Sequence, residues 1–165
     1  MKRLILWFSF CLCIGAVTGA YLYVQTQGAT IAHGVTGTVN AEELRAYERD
    51  GKNPFGGEIS GPELTDKEYQ EYIHGMAHQK VKADEKWTFF EIHPLRISWL
   101  LEHLETNDLT HKHVYKQILM KWADEDFSNA VADHNTIWEM QRGTIGKAKR
   151  LLTPEEEDEY IKENN

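Results

Sequence analysis

The feature that most constrains this chain is an uncharged apolar run from Leu4 to Val24, reading LILWFSFCLCIGAVTGAYLYV. As a helix its 21 residues extend ~30 Å, enough to cross the hydrocarbon core of a bilayer. Lys2 and Arg3 precede the run, and no further Lys or Arg occurs before Arg45. That asymmetry keeps the N-terminus in the cytoplasm and sends the rest of the chain across. Tyr21 and Tyr23 fall near the far end, where phenol rings favour the membrane–water boundary. The alternative is a cleaved signal peptide, with small residues for cleavage at Thr18-Gly19-Ala20. The run continues beyond that point, past the ~7–15 apolar residues of a typical signal peptide, which favours an anchor. Both readings place the remaining residues outside the cytoplasm, on a secreted soluble protein or on a tethered one.

Charge and cysteine usage bound what the exported part does. All 26 acidic residues follow the run, against 16 of the 18 basic ones, so this part carries a net charge of −10. Such a surface repels nucleic acid and anionic lipid, and suits solubility, cations or a basic partner. Cys11 and Cys13 are the only cysteines and both lie inside the run, where they read as small apolar side chains, with palmitoylation or an intermembrane contact as the alternative. The exported part therefore folds without disulfides or thiolate metal ligands.

Along the chain, residues 26–60 read as a linker. Gln25 to Val39 is uncharged and rich in Gly and Thr, with no sustained period, and reads as a flexible tether. Asn40 and Glu43 suit a capping box for a short helix over 41–50, ending at Gly51. Asn53-Pro54-Phe55-Gly56-Gly57 is a turn cluster whose Phe55 is a candidate to tuck against the domain, on a surface the sequence does not identify, and the folded domain is expected from about Gly61 to the end.

Five helices follow from periodicity and caps. Thr65 and Glu68 open the first, with Tyr69, Tyr72, Ile73 and Met76 on one face to about Val81. The aromatic stretch Trp87, Phe89, Phe90 and Ile92 reads either as a strand-like turn or as the end of that helix. Pro94 after His93 opens the second helix, with Ile97, Leu100, Leu101 and Leu104. Thr110 is the expected cap of the third, with Tyr115, Ile118, Leu119 and Trp122. Phe127, Ala130, Val131, His134, Trp138 and Gln141 define the fourth, closed by Gly143. Thr153-Pro154-Glu155-Glu156 starts the last. The expected fold is all-α: an anchor over 1–25, a linker, and a compact bundle of about five short helices over 61–165.

Eight histidines raise the question of a metal. The best constellation is Glu71-x-x-His74-x-x-x-His78, since residues four apart share one side of a helix. On a helical wheel, however, His74 and His78 point away from the apolar face, which predicts a solvent-facing pair. Gly75 stands where the zinc-protease motif has Glu. His111 and His113 diverge around their helix and suit no common ion. His134 lies at the centre of an apolar stripe beside Asp133, and reads as a buried imidazole hydrogen-bonded to a carboxylate or carbonyl.

Other chemistries have little material. The exported part has no Cys, and Ser60, Ser98 and Ser128 sit in no glycine-flanked elbow. Gly143-Thr144-Ile145-Gly146-Lys147 lacks the spacing of a phosphate loop. A helix-turn-helix drawn from the third and fourth helices conflicts with the acidic balance. No catalytic constellation and no cofactor signature emerges.

Several stretches together resemble a known family. They are Tyr72 to Val81, Lys86-Trp87, Arg96-Ile97 with Trp99-Leu100-Leu101, Asp133-His134-Asn135 with Ile137-Trp138, Gly143 to Ala148, and Leu152 to Glu157. Over roughly residues 53–162 the chain resembles uncharacterised membrane-anchored proteins of Bacillus-type Gram-positive bacteria that share a C-terminal domain of unknown function. The resemblance implies an N-terminal membrane segment and a small helical domain, and brings no activity, cofactor or catalytic residue. His93 stands where the resemblance leads one to expect a Thr cap. The expected function is a membrane-tethered module acting by contact with a protein or envelope component. The alternative is a domain that binds or senses a divalent metal through His74 and His78.

Overall fold

The computed structural model describes residues 41–164. The expected anchor at 4–24, the tether over 25–39 and the expected cap at Asn40 lie outside these residues. No helix among the described residues is long and apolar enough to cross a membrane.

The order is α1 (Ala41–Arg49), a 3-10 turn (Gly61–Glu63), α2 (Asp66–Ala77), β1 (Val81–Lys82), α3 (Pro94–Leu104), α4 (Lys112–Ala123), α5 (Ala130–Met140), β2 (Arg150–Leu151) and α6 (Pro154–Asn164). The described part is thus mostly helical, with six helices and two short strands. The all-α expectation is corrected on this point. β1 pairs antiparallel with β2, Val81 opposite Leu151 and Lys82 opposite Arg150. Two-residue strands carry no period, so nothing in the hydrophobic pattern announces them.

Local chemistry sets most helix starts. The Thr65 hydroxyl accepts from the Lys67 backbone N–H at 3.3 Å, and the Glu68 carboxylate accepts from the Thr65 N–H at 3.0 Å. At α3 the imidazole of His93 does a hydroxyl's work: its Nδ1 accepts from the Leu95 N–H at 3.1 Å. At α6 the Glu156 carboxylate accepts from the Thr153 N–H at 3.0 Å. The start of α4 differs from expectation. Thr110 is not its cap; His111 holds that position without a side-chain bond. The cap comes from α2: the Asp66 carboxylate accepts from the backbone N–H groups of Thr110 (2.8 Å) and His111 (3.2 Å), and from the Tyr115 hydroxyl (2.7 Å). A negative charge at an N-terminus also complements the helix dipole.

The end of α5 is corrected too. Gln141 is the C-cap, and Arg142 takes the left-handed conformation at φ 57. The Arg142 N–H bonds the Glu139 carbonyl at 3.0 Å and the Gly143 N–H the Trp138 carbonyl at 2.8 Å, the two bonds of a Schellman ending. Gly143 is required for space rather than for φ, because a Cβ there would lie 2.3 Å from Trp138 Nε1.

α2 is the central helix. One side carries Tyr69, Ile73 and Met76 into the main core with Leu100, Leu104, Tyr115, Leu119 and Trp122. Tyr69 stacks on Tyr115 at 5.4 Å and donates to the Leu100 carbonyl at 2.8 Å. The most extensive helix pairings are α2 with α5 and α3 with α4; α2 thus meets α5 as well as the main core.

The boundary expected near Gly61 falls inside the packed unit. Leu44, Asn53 and Phe55 are buried. The Phe55 ring stacks on Tyr72 at 3.9 Å, and the Asn53 amide donates to the Tyr72 hydroxyl at 3.1 Å. Buried Arg96 reaches from α3 to the Pro54 carbonyl at 2.9 Å. The sequence leaves open which surface Phe55 meets; the structure supplies Tyr72, with Asn53 buried beside it.

Candidate metal centre

His74 and His78 lie one turn apart on α2, His78 at its C-cap. The helical wheel predicts a solvent-facing pair; instead His78 is buried and His74 half-buried. The face of α2 opposite the main core is covered by α5, which brings His134 against them. The rings of His74 and His134 are 4.4 Å apart, those of His74 and His78 4.6 Å, and those of His78 and His134 5.2 Å. His78 is 3% exposed and His134 0%, and His74 is half-buried. One ring nitrogen from each lies within 4.8 Å of the other two.

The opposite edge of each ring is held by an oxygen. His78 Nδ1 is 2.5 Å from the Thr88 carbonyl. A carbonyl only accepts, so Nδ1 carries the hydrogen and Nε2 is bare. His134 Nδ1 is 3.0 Å from Asn135 Oδ1. That amide is oriented by Ala148: Oδ1 accepts from the Ala148 N–H at 2.8 Å and Nδ2 donates to the Ala148 carbonyl at 3.0 Å. His134 Nδ1 is therefore also the donor. His74 Nδ1 is 2.6 Å from Gln141 Oε1. With this orientation of Gln141, all three imidazoles turn a bare Nε2 inwards.

Two bare nitrogens cannot rest at the 2.9 Å that separates His74 Nε2 from His134 Nε2. Something positive must lie between them. A proton suffices if the Gln141 amide turns over and His74 carries its hydrogen on Nε2. A metal ion satisfies all three at once. Three imidazoles each fixed by a hydrogen bond at the far nitrogen are the usual surroundings of a zinc-type ion. An ion ~2.0 Å from each nitrogen sets tetrahedral ligands ~3.3 Å apart; His74 Nε2 and His134 Nε2 are 2.9 Å apart, and the third nitrogen lies within 4.8 Å of both. Among the described residues no carboxylate joins the group.

The surroundings keep these imidazoles neutral. Burial pushes the pKa of His78 down to about 3 and that of His134 down to about 4, and lowers that of His74. Lys86, whose ammonium donates to the His78 carbonyl at 2.7 Å and lies 3.7 Å from the centre of the Tyr160 ring, adds to the effect on His78 and His134. A neutral imidazole is the form that binds metal.

Gly75 explains how Thr88 reaches His78. Phe90 N–H bonds the Gly75 carbonyl at 3.2 Å, and a Cβ on Gly75 would meet the Phe90 ring at 2.6 Å. The bare helix surface lets residues 88–90 lie flat against α2.

His74 and His78 border a cavity of about 680 Å³, whose other walls include Glu71, Glu85, Trp87, Trp138, Gln141 and Ile145. The aromatic stretch forms neither a strand nor the end of α2; it is irregular, with Trp87 80% exposed at the rim. The 143–147 stretch forms a loop, its turn at Gly146 (φ 85) closing against the Glu85 carbonyl.

Sequence reasoning names His74 and His78 and misses the third member. It assigns His134 to the core with a carboxylate or carbonyl partner, but its partners are an imidazole and an amide. Asp133 turns instead to Trp122 Nε1 (3.3 Å) and Lys121 (3.9 Å). His93, His103, His111 and His113 do not join the group.

Residues 73–162, more than half of the chain, match a family described as a family of unknown function, DUF6241. No curated protein matches, and no solved structure matches.

Proposed function

The chain belongs to DUF6241, a family of unknown function, and on that premise we propose that its folded part binds a divalent transition metal through His74, His78 and His134. The observation that carries this reading is the convergence of three nitrogens whose rings are each anchored by an oxygen on the far side. An all-nitrogen set suits zinc, copper(II) or nickel, and disfavours magnesium and calcium, which prefer oxygen. The domain works outside the cytoplasm, held there by the apolar run at 4–24.

Calorimetry with zinc on the full-length protein in detergent tests the reading. One ion per chain is expected, with affinity lost in His134→Ala and in half-buried His74→Ala, and kept in exposed His113→Ala. Circular dichroism checks that each variant is folded. Binding weaker than millimolar, or equal binding by folded His74→Ala, overturns the metal reading.

A second reading is contact with an envelope protein, favoured by one observation. Trp87 (80% exposed) and Ile145 (56% exposed) stand on the same cavity rim of an otherwise acidic domain. A partner recovered from solubilised membranes by the wild type and lost with Trp87→Ser supports it. Equal recovery by both counts against it.

A further inference from the structure

We infer that the metal takes a carboxylate-bearing small molecule as its outer ligand, bound in the adjoining cavity, and that metal and acid bind cooperatively. This rests on the metal reading above.

The first argument is charge. Three neutral imidazoles leave a dication uncompensated, and among the described residues no carboxylate joins the group. The Lys86 ammonium, bonded to the His78 carbonyl, adds a further positive charge. An unbalanced charge at a partly buried site is costly, and an anion on the metal offsets it. The second is coordination. Three protein ligands leave a tetrahedral ion one open position, and both His74 and His78 border the cavity. The third is the character of the walls. Trp87, Trp138 and Ile145 line the same space and suit a ligand with an apolar or planar body. Glu71 and Glu85, also on its border, repel multiply charged anions. A monocarboxylate with an apolar body meets all of these conditions, and inorganic phosphate does not.

Cobalt(II) reports on this directly, because its visible bands respond to a change of ligand. The full-length protein, loaded with cobalt in detergent, is titrated in turn with acetate, benzoate and inorganic phosphate. Benzoate is expected to shift the bands at several-fold lower concentration than acetate. It is also expected to tighten cobalt binding by the factor by which cobalt tightens benzoate binding. Trp87→Ala, at an exposed position, should weaken benzoate several-fold and leave cobalt affinity unchanged. Bands unmoved by any acid overturn the inference, as when Glu71 or Glu85 closes the coordination shell. Phosphate binding tighter than benzoate overturns it as well. Absence of any cobalt band sinks the metal reading itself, an outcome distinct from bands that form and do not respond.

Discussion

Asn135 decides which nitrogen of His134 carries hydrogen. Its amide is clasped on both sides by the Ala148 backbone, at 2.8 Å and 3.0 Å, so its oxygen faces His134 Nδ1 at 3.0 Å. The imidazole has no choice but to donate there and to turn a lone pair towards His74. A contact between α5 and the segment before β2 thus prepares the centre of the histidine cluster.

Asn135→Leu removes that orientation. Metal affinity is expected to fall ~10–100-fold, the usual effect of losing a group that positions a ligand. Competition with a chromophoric chelator measures it. The variant also strands the Ala148 backbone groups, so melting should show a loss of ~1–3 kcal/mol. Unchanged metal affinity in a folded variant would remove Asn135 from the site.

Gly75→Ala places a methyl 2.6 Å from the Phe90 ring. Residues 88–90 must move, and overpacking of this kind costs ~1–3 kcal/mol. Because Thr88 moves with them, metal affinity should fall together with the melting temperature. A change in stability alone would show that the Thr88 carbonyl does not position His78.

Acid should destabilise the metal-free protein. Folded His78 and His134 are depressed to about 3 and about 4, whereas unfolded imidazoles titrate near ~6.5. Below that pH the unfolded chain binds protons that the folded chain refuses, so stability falls as pH drops from ~6.5 towards 4. Above that range these groups have no effect. By pH 5 the loss is ~1–2 kcal/mol for each imidazole. Urea midpoints of chelator-treated protein at pH 7.5 and pH 5 measure it, and equal midpoints would show the rings to be hydrated.

Phe55→Ala tests whether 41–60 belongs to the domain. The ring stacks on Tyr72 and meets Phe90 edge-on at 5.1 Å. Its loss should cost ~3 kcal/mol, read from urea unfolding. A loss near zero would return this segment to a linker.

Intact cells treated with an external protease should lose the folded domain while cytoplasmic proteins survive. A domain degraded only after lysis would reverse the proposed orientation.

The sequence by itself determined what depends on neighbours along the chain. The caps at Thr65, His93 and Thr153 and the apolar faces of α2 to α5 are set within a few residues, because a helix is a local structure. Tertiary structure decided what two distant segments do to one another. His74 and His134 are 60 residues apart, and nothing local to either marks the other as its partner. The helical wheel assigned the polar side of α2 to water because it carries only one helix's pattern. α5 covers that side with its own histidine, turning two polar surfaces into one buried cluster. The β1–β2 pairing, the surface that Phe55 meets and the capping of α4 by Asp66 were hidden for the same reason. Each is a contact across the fold between residues that look ordinary in their own surroundings.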